Sequence, residues 1–388
     1  MIRALRAPAA CVALFAAACG ASRAFAQSGN SAGDGASDGP DQAITAATSP
    51  TGPLVLLVQG DALLASKPNL AEDPRDAPAG AALRLRRLRV GDDGTIGDFR
   101  LRVLFEGEAE TAAGTPFTPL AGGRLPFGGS VRATEVYVAW AAYRAFQIAA
   151  GSLRVPFSLT RQVDEGDLRL PERAAFADAF LADYRLGAAL GGDLGEIIYQ
   201  AAVMSPDPVL DGQLFDHGVL VAGRLVAEPL GPVGLTPWRR AESDPWYDWF
   251  RFAAGLSVLY GTLAAPRTLA FDPELTVQWR SLVVTAEYLF SVRYTDSAAI
   301  VPGSTEQGAA LEPGVTLLGR SLDLVARGSW ERAASANVWA GGAGLTAYAP
   351  DSRFRLNAGF ERRWTQPVTP GIDGSSYWAI VRLAIVVN

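Results

Sequence analysis

The chain has 388 residues, with 34 Lys and Arg against 40 Asp and Glu, which gives a formal charge of −6 at pH 7. This acidic balance argues against general nucleic-acid binding. Both cysteines lie before residue 27 and His217 is the single histidine, so the rest of the chain has no disulfide framework and no His/Cys cluster for a metal ion. The sequence therefore predicts neither a metal site nor a cofactor.

The N-terminal residues are typical of an exported protein. Arg3 and Arg6 form a short basic region, an apolar run follows, and "AFA" precedes Gln27 as a signal peptidase site would. The apolar run is too short to span a membrane as a helix. We therefore predict a cleaved signal peptide over residues 1–26.

Two further features concern the same end of the chain. Lipidation of Cys19 is an alternative to simple cleavage, but Ala16 stands three residues before it, where a lipoprotein signal usually has Leu. Residues 27–52 are rich in Gly, Ser, Asp and Ala, a composition that predicts a flexible leader.

From residue 53 onward the sequence alternates between apolar and polar residues. In the stretch 282–294, Leu282 and Phe290 belong to an apolar face, whereas Glu287 and Arg293 belong to the opposite face. The run exceeds the ordinary strand of about 5–6 residues and suffices for the ~9–11 residues that cross a bilayer as a tilted strand. About sixteen strands are predicted, at 54–64, 82–91, 97–108, 132–143, 145–155, 185–192, 195–204, 214–228, 249–260, 269–280, 282–294, 309–318, 321–332, 336–348, 353–364 and 376–387.

These strands predict an all-β fold, a transmembrane antiparallel β-barrel over residues 53–388. The polar faces carry charges in mid-strand, and aromatic residues such as Tyr260 and Trp364 stand toward strand ends. A soluble sandwich of about 100 residues per domain does not fit so many long strands. Short turns tend to alternate with longer loops, but 229–248 is long where a short turn is expected, and the pattern does not explain this segment.

The longest loop, residues 157–185, follows the fifth predicted strand. In a barrel of this size we expect this third loop to fold into the lumen and narrow it. Rings of charge at such a constriction set ion selectivity. The alternative is a solvated loop whose charges pair with each other. The candidate constriction residues of the loop are Arg161, Arg169, Arg173 and Arg185.

A second basic set lies upstream in "LRLRRLRV" and "FRLRVLFEGE". Phe99 and Leu101 share the lipid-facing side, so the neighbouring arginines are predicted to face the lumen, because an Arg on the lipid side costs ~2–4 kcal/mol at mid-bilayer. In the first run the alternation of apolar and polar residues changes phase between Arg86 and Arg87, which predicts a bulge or a strand end there. These arginines could line the solute path or could neutralise nearby acids. The candidates are Arg84, Arg86, Arg100 and Arg102.

Four stretches resemble a known family: "LRLRRLRVGDDGTIGDFRLRVLFE", "AAGSLRVPFSLTRQ", "LPERAAFADAF" with "YRLGAALGGDLGEIIYQAAVMSP", and "LEPGVTLLGRSLDLVARGSWE". The chain is similar to the phosphate-selective porins O and P, which are sixteen-stranded outer-membrane barrels. The resemblance implies a trimeric anion channel in which the third loop and lumen-facing basic residues form an arginine-rich path. The chain departs from the pattern in having one lysine, Lys67, and in ending at Asn388 where barrels usually end in an aromatic residue.

We predict an outer-membrane porin for passive diffusion of small solutes, in particular anions such as phosphate. Its predicted partners are outer-membrane lipid, small anions and two further copies of the chain. A general, non-selective pore and a plugged structural or adhesive surface barrel are the alternatives. An enzyme is not expected, because His217 stands alone and no Gly-x-Ser-x-Gly elbow is present.

Overall fold

The computed structural model describes residues 54–65, 80–110, 124–125, 129–174, 176–177, 184–206, 218–239, 244–262, 267–294, 305–318, 321–332, 336–349, 354–367 and 374–387. The signal peptide and leader predicted for residues 1–52 lie outside these ranges. Within them the chain forms strands almost throughout. The strands are β1 Leu54–Ala65, β2 Gly80–Ile96, β3 Phe99–Glu110, β4 Arg124–Leu125, β5 Gly129–Tyr143, β6 Phe146–Arg154, β7 Tyr184–Asp193, β8 Ile197–Met204, β9 Leu220–Ala227, β10 Phe250–Thr262, β11 Arg267–Trp279, β12 Leu282–Tyr294, β13 Glu306–Leu317, β14 Leu322–Arg332, β15 Ala336–Tyr348, β16 Phe354–Pro367 and β17 Gly374–Val387.

The strands close into one antiparallel barrel. Each long strand pairs with its neighbours in the sequence, while the two-residue β4 pairs only with β5. The last strand returns to the first, from Leu56 opposite Val387 to Ala65 opposite Trp378. Sixteen long strands therefore form the wall, which confirms the predicted fold class. The end of the barrel where β1 begins is called the turn end below, and the opposite end is called the loop end.

Several strand limits differ from those predicted. The second strand extends to Ile96, five residues further than expected, and β9 begins at Leu220 rather than at residue 214. Helical turns between strands lie at Leu159–Gln162, called α1, and, as 3-10 helices, at Glu165–Asp167 and Pro237–Arg239. In the described ranges no helix is long and apolar enough to cross a membrane.

Alternation along each strand separates an outer apolar face from an inner polar one. On β11, Phe271 and Leu275 are exposed, whereas Asp272 and Glu274 are buried. Aromatic side chains gather near both ends of the outer face: Tyr260 stacks on Tyr294 near the loop end, and other aromatics cluster near the turn end. A bilayer requires this arrangement, because the hydrocarbon contacts only apolar groups and closure leaves no strand edge unpaired.

The register of β2 shifts where its sequence changes phase. The pairing with β3 is irregular between Leu85 and Leu88. Beyond this point Arg87 and Arg89 are buried on the inner face, and Val90 is exposed on the outer face. The predicted bulge is therefore present, and it directs two more arginines inward than a regular strand would.

Part of the inner wall is apolar, which the strand pattern does not predict. Leu220, Leu259 and Leu289 are almost fully buried near the loop end of β9, β10 and β12. They belong to one buried cluster with Phe157 and Phe176 from the segment after β6. This part of the wall can be apolar because it contacts a segment of the chain and not water.

Candidate functional site

The segment that follows β6, residues 155–183, is called the long loop; the structure describes it through residue 174 and at residues 176–177. It turns sharply at Ser158, whose backbone φ of 70° lies in the left-handed region. The Ser158 hydroxyl accepts a hydrogen bond from the Arg161 amide, capping α1, and donates to Glu287 of β12. The Thr160 hydroxyl donates to the same carboxylate. Glu287 thus attaches the beginning of the long loop to the inner wall.

The acidic side chains of the long loop pair with arginines of β2. Arg89 donates two hydrogen bonds to Asp164, at 3.0 and 2.8 Å. Glu165 pairs with Arg87 and, at 2.7 Å, with Arg173 of the loop itself. Burial makes these pairs strong, because little water competes for the donors.

The far end of the long loop is held by the last strands. Arg382 of β17 contacts Glu172 at 2.9 Å and also donates to the Pro171 carbonyl, while Arg86 of β2 lies 3.3 Å from Glu172. Thr346 of β15 donates to the Arg169 carbonyl at 2.8 Å. The long loop therefore bonds to β2, β12, β15 and β17, and it lies across the interior of the barrel.

Glycines of the inner wall provide room for this loop. A Cβ atom added at Gly308 would clash with Phe176, one at Gly314 with the Arg169 guanidinium, and one at Gly344 with Leu170. These close approaches require residues without a side chain on β13 and β15.

A second segment enters the interior from the turn end. This long turn, residues 228–249, corresponds to the connection that the sequence pattern did not explain. The Glu228 carboxylate accepts hydrogen bonds from the Val233 and Gly234 amides, at 3.1 and 2.9 Å, and so folds the chain back on itself. Arg251 donates to the Pro232 carbonyl at 2.8 Å, and Gln278 donates to the Pro237 carbonyl at 3.1 Å. Inner-face side chains of β10 and β11 thus hold the long turn in place.

The long turn meets the long loop inside the barrel. Trp238 is buried in a cluster with Val163 of the loop and Val283 of β12. Its ring lies 5.4 Å from the Arg169 guanidinium, a cation–π distance. Arg239 forms an ion pair of 2.6 Å with Asp167. Loop and turn therefore approach from opposite ends and contact each other.

The predicted constriction arginines of the loop occupy different surroundings. Arg161 is buried and its Nε donates to the Ala177 carbonyl at 2.5 Å. Arg173 donates to the Thr160 and Val163 carbonyls as well as to Glu165. Arg185 is buried on the inner face of β7. Arg169 differs from these, since its nearest carboxylate oxygen, on Asp323, lies 3.7 Å away.

The upstream arginines line the wall between β2 and β5. Arg100 forms a bidentate pair with Asp93, at 2.7 and 2.6 Å, and Arg102 contacts Glu135 at 2.7 Å. Arg86 reaches Glu172 of the loop, as described above. Arg84 stands opposite Asp61 in the β1–β2 pairing, and its side chain lies outside the described part of the structure.

Described arginines outside the predicted set also contact the long loop: Arg87, Arg89, Arg154, Arg239, Arg327, Arg355 and Arg382. Arg87 and Arg89 do so because of the bulge. The change of alternation within "LRLRRLRV" was the sequence signal for that bulge. Arg355 and Arg382 lie on β16 and β17, where alternation with apolar neighbours marks them as inward. No sequence signal shows that they meet the loop, because that contact depends on closure of the barrel.

Two carboxyl groups of the long loop are held in their charged form. Burial alone would raise the pKa of Asp164, but the guanidinium groups of Arg89 and Arg154 lower it well below its usual range. Burial alone would likewise raise the pKa of Glu165. Its pKa nevertheless lies well below the ordinary value, because of the guanidinium groups of Arg87, Arg173 and Arg86. Each folded-state pKa therefore lies below that of the unfolded chain.

Acid is expected to loosen the long loop. A depressed pKa stabilises the folded state fully above the unfolded value of about 4, and this stabilisation is lost as the pH falls through the folded value. We expect steady single-channel currents at about pH 7 and 5 and growing current noise below about pH 4. Glu165→Gln, which cannot ionise, should be noisy already at neutral pH. Unchanged noise in the native protein at about pH 2 would contradict this assignment.

Two cavities lie where the long loop meets the long turn. One is lined in part by Leu159, Leu235 and Arg224. The other, called the junction cavity, is lined in part by Leu168, Arg169, Leu170, Leu235, Trp238 and Arg327. Among the described residues no three His, Cys, Asp or Glu side chains are placed to hold a metal ion.

Residues 65–221, from the last residue of β1 to the second of β9, match a family model. The family is that of the phosphate-selective porins O and P. The match confirms, over this part of the chain, the resemblance found in the sequence motifs. It includes the long loop and the β2 arginines that bind it. No curated protein matches the chain in sequence.

Solved structures of outer-membrane proteins share the fold of this chain, and three of them illustrate the likeness. OprB of Pseudomonas putida, at high pH, is 9% identical, with a TM-score of 0.59 over 86% of this chain and 94% of that one. The outer membrane channel DcaP of Acinetobacter baumannii is 11% identical, with a TM-score of 0.52 over 86% and 96%. OmpT of Vibrio cholerae, in a trimer form, is 9% identical, with a TM-score of 0.51 over 85% and 98%. The chain thus has the porin-like β-barrel fold of outer-membrane proteins.

Proposed function

We propose that the protein is an outer-membrane porin through which small anions, phosphate among them, diffuse passively. The observation that carries the proposal is a cluster that the long loop forms with the long turn and with β14 and β16. Three guanidinium groups, of Arg169, Arg239 and Arg355, lie here with two carboxylates, of Asp167 and Asp323. Among the described residues, Nε and Nη2 of Arg169 and Nε and Nη1 of Arg355 have no hydrogen-bond partner. All four nitrogens are buried, so an anion can bind them only after the long loop or the long turn shifts.

The mechanism is electrostatic filtering. Guanidinium groups along the path lower the barrier for anions, and the carboxylates between them prevent tight binding that would stop release. Paired arginines also fix the position of the long loop, so that the same residues shape the pore and set its charge. The arginines proposed to line the path are Arg84, Arg86, Arg100, Arg102, Arg161, Arg169, Arg173 and Arg185.

The test is a reversal-potential measurement on the purified protein in a planar bilayer with a salt gradient. We expect anion preference and a reduced chloride current when phosphate is added. Arg355→Gln should lower the preference, because it removes one charge of the cluster. Arg293→Gln is the matched control, since Arg293 is largely exposed beside Glu306 near the loop end. Cation preference would contradict the proposal, and anion preference without phosphate block would leave a general anion pore.

A plugged surface barrel is the second candidate, and one observation favours it. The long loop and the long turn cover much of the inner wall, so that Arg251, Asp272 and Thr346 are almost fully buried. A barrel whose interior stays covered conducts nothing. Absence of conductance from folded barrels would establish this candidate in place of the first.

The remaining proposals concern export and assembly. We propose that residues 1–26 are removed as a signal peptide, that residues 27–52 form a flexible leader, and that the barrel resides in the outer membrane as a homotrimer. The trimer form of the fold neighbour OmpT supports the last of these. N-terminal sequencing should begin at Gln27, and a monomer mass in native mass spectrometry would contradict the trimer.

A further inference from the structure

We propose that the outer wall of the barrel binds the phosphate group of an anionic lipid near the loop end, through Arg362 of β16. This inference concerns the lipid-facing side of the wall and not the solute path, so it holds whether or not the barrel conducts. It starts from where charged residues stand on the outer face.

Charge is distributed unevenly over the outer face of β10–β17. Within these described strands, the charged residues at outward-facing positions are Arg267, Arg332 and Arg362, and no carboxylate stands at such a position. Arg267 begins β11, Arg332 ends β14, and Arg362 lies in the loop-end half of β16. Glu306 and Glu331, near the same end, occupy inward-facing positions. The outer face near the loop end is therefore positively charged.

Arg362 lies slightly deeper in the membrane than the aromatic residues at this end. On the same face of β16, Trp364 stands two residues closer to the loop end, and it pairs with Trp339 of β15. Both tryptophans are exposed. The Arg362 guanidinium lies 5.1 Å from the centre of the Trp364 ring. Among the described residues no carboxylate lies within ion-pair distance of Arg362.

An arginine at this position is best stabilised by an anion from outside the chain. A lipid-facing charge is unfavourable at the bilayer centre and becomes nearly neutral at the interface. Tryptophan rings occupy the headgroup level, so the contact with Trp364 brings the Arg362 guanidinium to that level while its aliphatic part stays among apolar groups. The anions found there are lipid phosphates. The planar fork of arginine can bind two phosphate oxygens at once.

The surface around Arg362 fits a lipid chain as well as a headgroup. Tyr377 of β17 stands directly opposite Arg362, and its ring lies 6.4 Å from that of Phe360. On the other side Arg362 pairs with Gly341 of β15, which has no side chain. An acyl chain can therefore lie along Phe360 toward the bilayer centre, while the phosphate lies beside the guanidinium.

A second copy of the chain is the alternative occupant of this face. It would have to supply a carboxylate, and the outward-facing positions of the described strands β10–β17 hold none. A copy that approached through the same strands would bring Arg332 and Arg362 of its own toward those of the first copy. Charge complementarity therefore favours an anionic lipid.

The experiment measures lipid retention by the purified full-length protein in neutral detergent, using native mass spectrometry. Phosphatidylglycerol carries an uncompensated phosphate, whereas the phosphate of phosphatidylcholine is neutralised by its own cation. With equal acyl chains, we expect phosphatidylglycerol to be retained about fivefold better. Equal retention of the two lipids would overturn the proposal. Displacement of phosphatidylglycerol by an equal concentration of inorganic phosphate would also overturn it, because the site would then belong to a soluble anion.

Variants assign the retention to Arg362. Arg362→Gln should weaken retention of phosphatidylglycerol about fivefold, and Arg362→Lys should keep most of it, because the charge remains. Arg144→Gln is the control, because Arg144 is 56% exposed beside Asp193 at the turn end. Native retention in Arg362→Gln would overturn the assignment. A smaller oligomer in Arg362→Gln would also overturn it and would show that another copy covers this residue.

Planar-bilayer recordings separate this inference from the proposed function. Arg362 lies outside the barrel wall, so Arg362→Gln should keep the native reversal potential. A shifted reversal potential would place Arg362 on the solute path and overturn the lipid site. Selective retention of phosphatidylglycerol by a barrel that carries no current would overturn the channel and leave the lipid site intact.

Discussion

Deleting residues 231–239 is expected to raise the single-channel conductance severalfold. These residues form the part of the long turn that occupies the interior, and they carry Trp238, which packs against Val163 and Val283. The deletion leaves residues 228–230 and 240–249 to connect β9 with β10. Conductance is limited by the narrowest section of a pore, so removal of a segment from the lumen should have a large effect.

A graded variant and a control make this result specific. Trp238→Ala should raise the conductance by a smaller amount, because it removes one side chain where loop and turn meet. Arg144→Gln should leave it unchanged, since Arg144 is largely exposed at the same end of the barrel beside Asp193 and away from the long turn. Sheet content by circular dichroism verifies that each variant is folded. Native conductance from the folded deletion variant would show that the long turn does not restrict the pore.

Replacing Glu165 and Glu172 together by Gln is expected to strengthen anion preference and to make the open-channel current noisy. Glu165 lies between Arg87 and Arg173, and Glu172 contacts Arg382 and Arg86. Removing one partner of a buried ion pair costs about 3–5 kcal/mol, because the other charge stays buried and unpaired. The long loop should then move, and the uncompensated guanidinium groups should attract anions.

The measurement is the reversal potential together with the variance of the current in the same salt gradient. Glu306→Gln serves as the matched control, because this carboxylate pairs with the exposed Arg293 near the loop end. A shift of the reversal potential toward cation preference would sink the electrostatic argument. Native noise in the double variant would show that these carboxylates do not hold the loop.

Much of the barrel could be predicted from alternation alone. The limits of β12 and β15 agree with the predicted 282–294 and 336–348, because each strand has a clear apolar face. The phase shift at Arg86 and Arg87 even indicated the bulge. Alternation is a local property, so a single sequence is sufficient to show it.

What could not be predicted is how the interior is filled. Leu259 and Leu289 face inward and pack against the long loop. The alternation pattern alone cannot distinguish such an inward leucine from a lipid-facing one in a strand whose alternation is interrupted. Trp238 and Pro237 lie in a segment without periodicity, and their position depends on contacts with β11, β12 and the loop. Pairing between Arg89 and Asp164 is likewise a long-range contact, which propensity and spacing do not encode.

The pair of Arg382 with Asp61 bears on how the protein is assembled. Arg382 Nε and Nη2 contact the two Asp61 oxygens at 2.7 and 2.9 Å, and these residues face each other across the β1–β17 seam. The same guanidinium also binds Pro171 and Glu172. Strand β17 thus carries a cation whose partners are β1 and the long loop. Contacts between residues so far apart in the sequence form late, so the ion pair of Arg382 with Asp61 should form when the barrel wall closes. Once formed, the pair should oppose separation of β1 from β17, because separation would leave both charges without a partner.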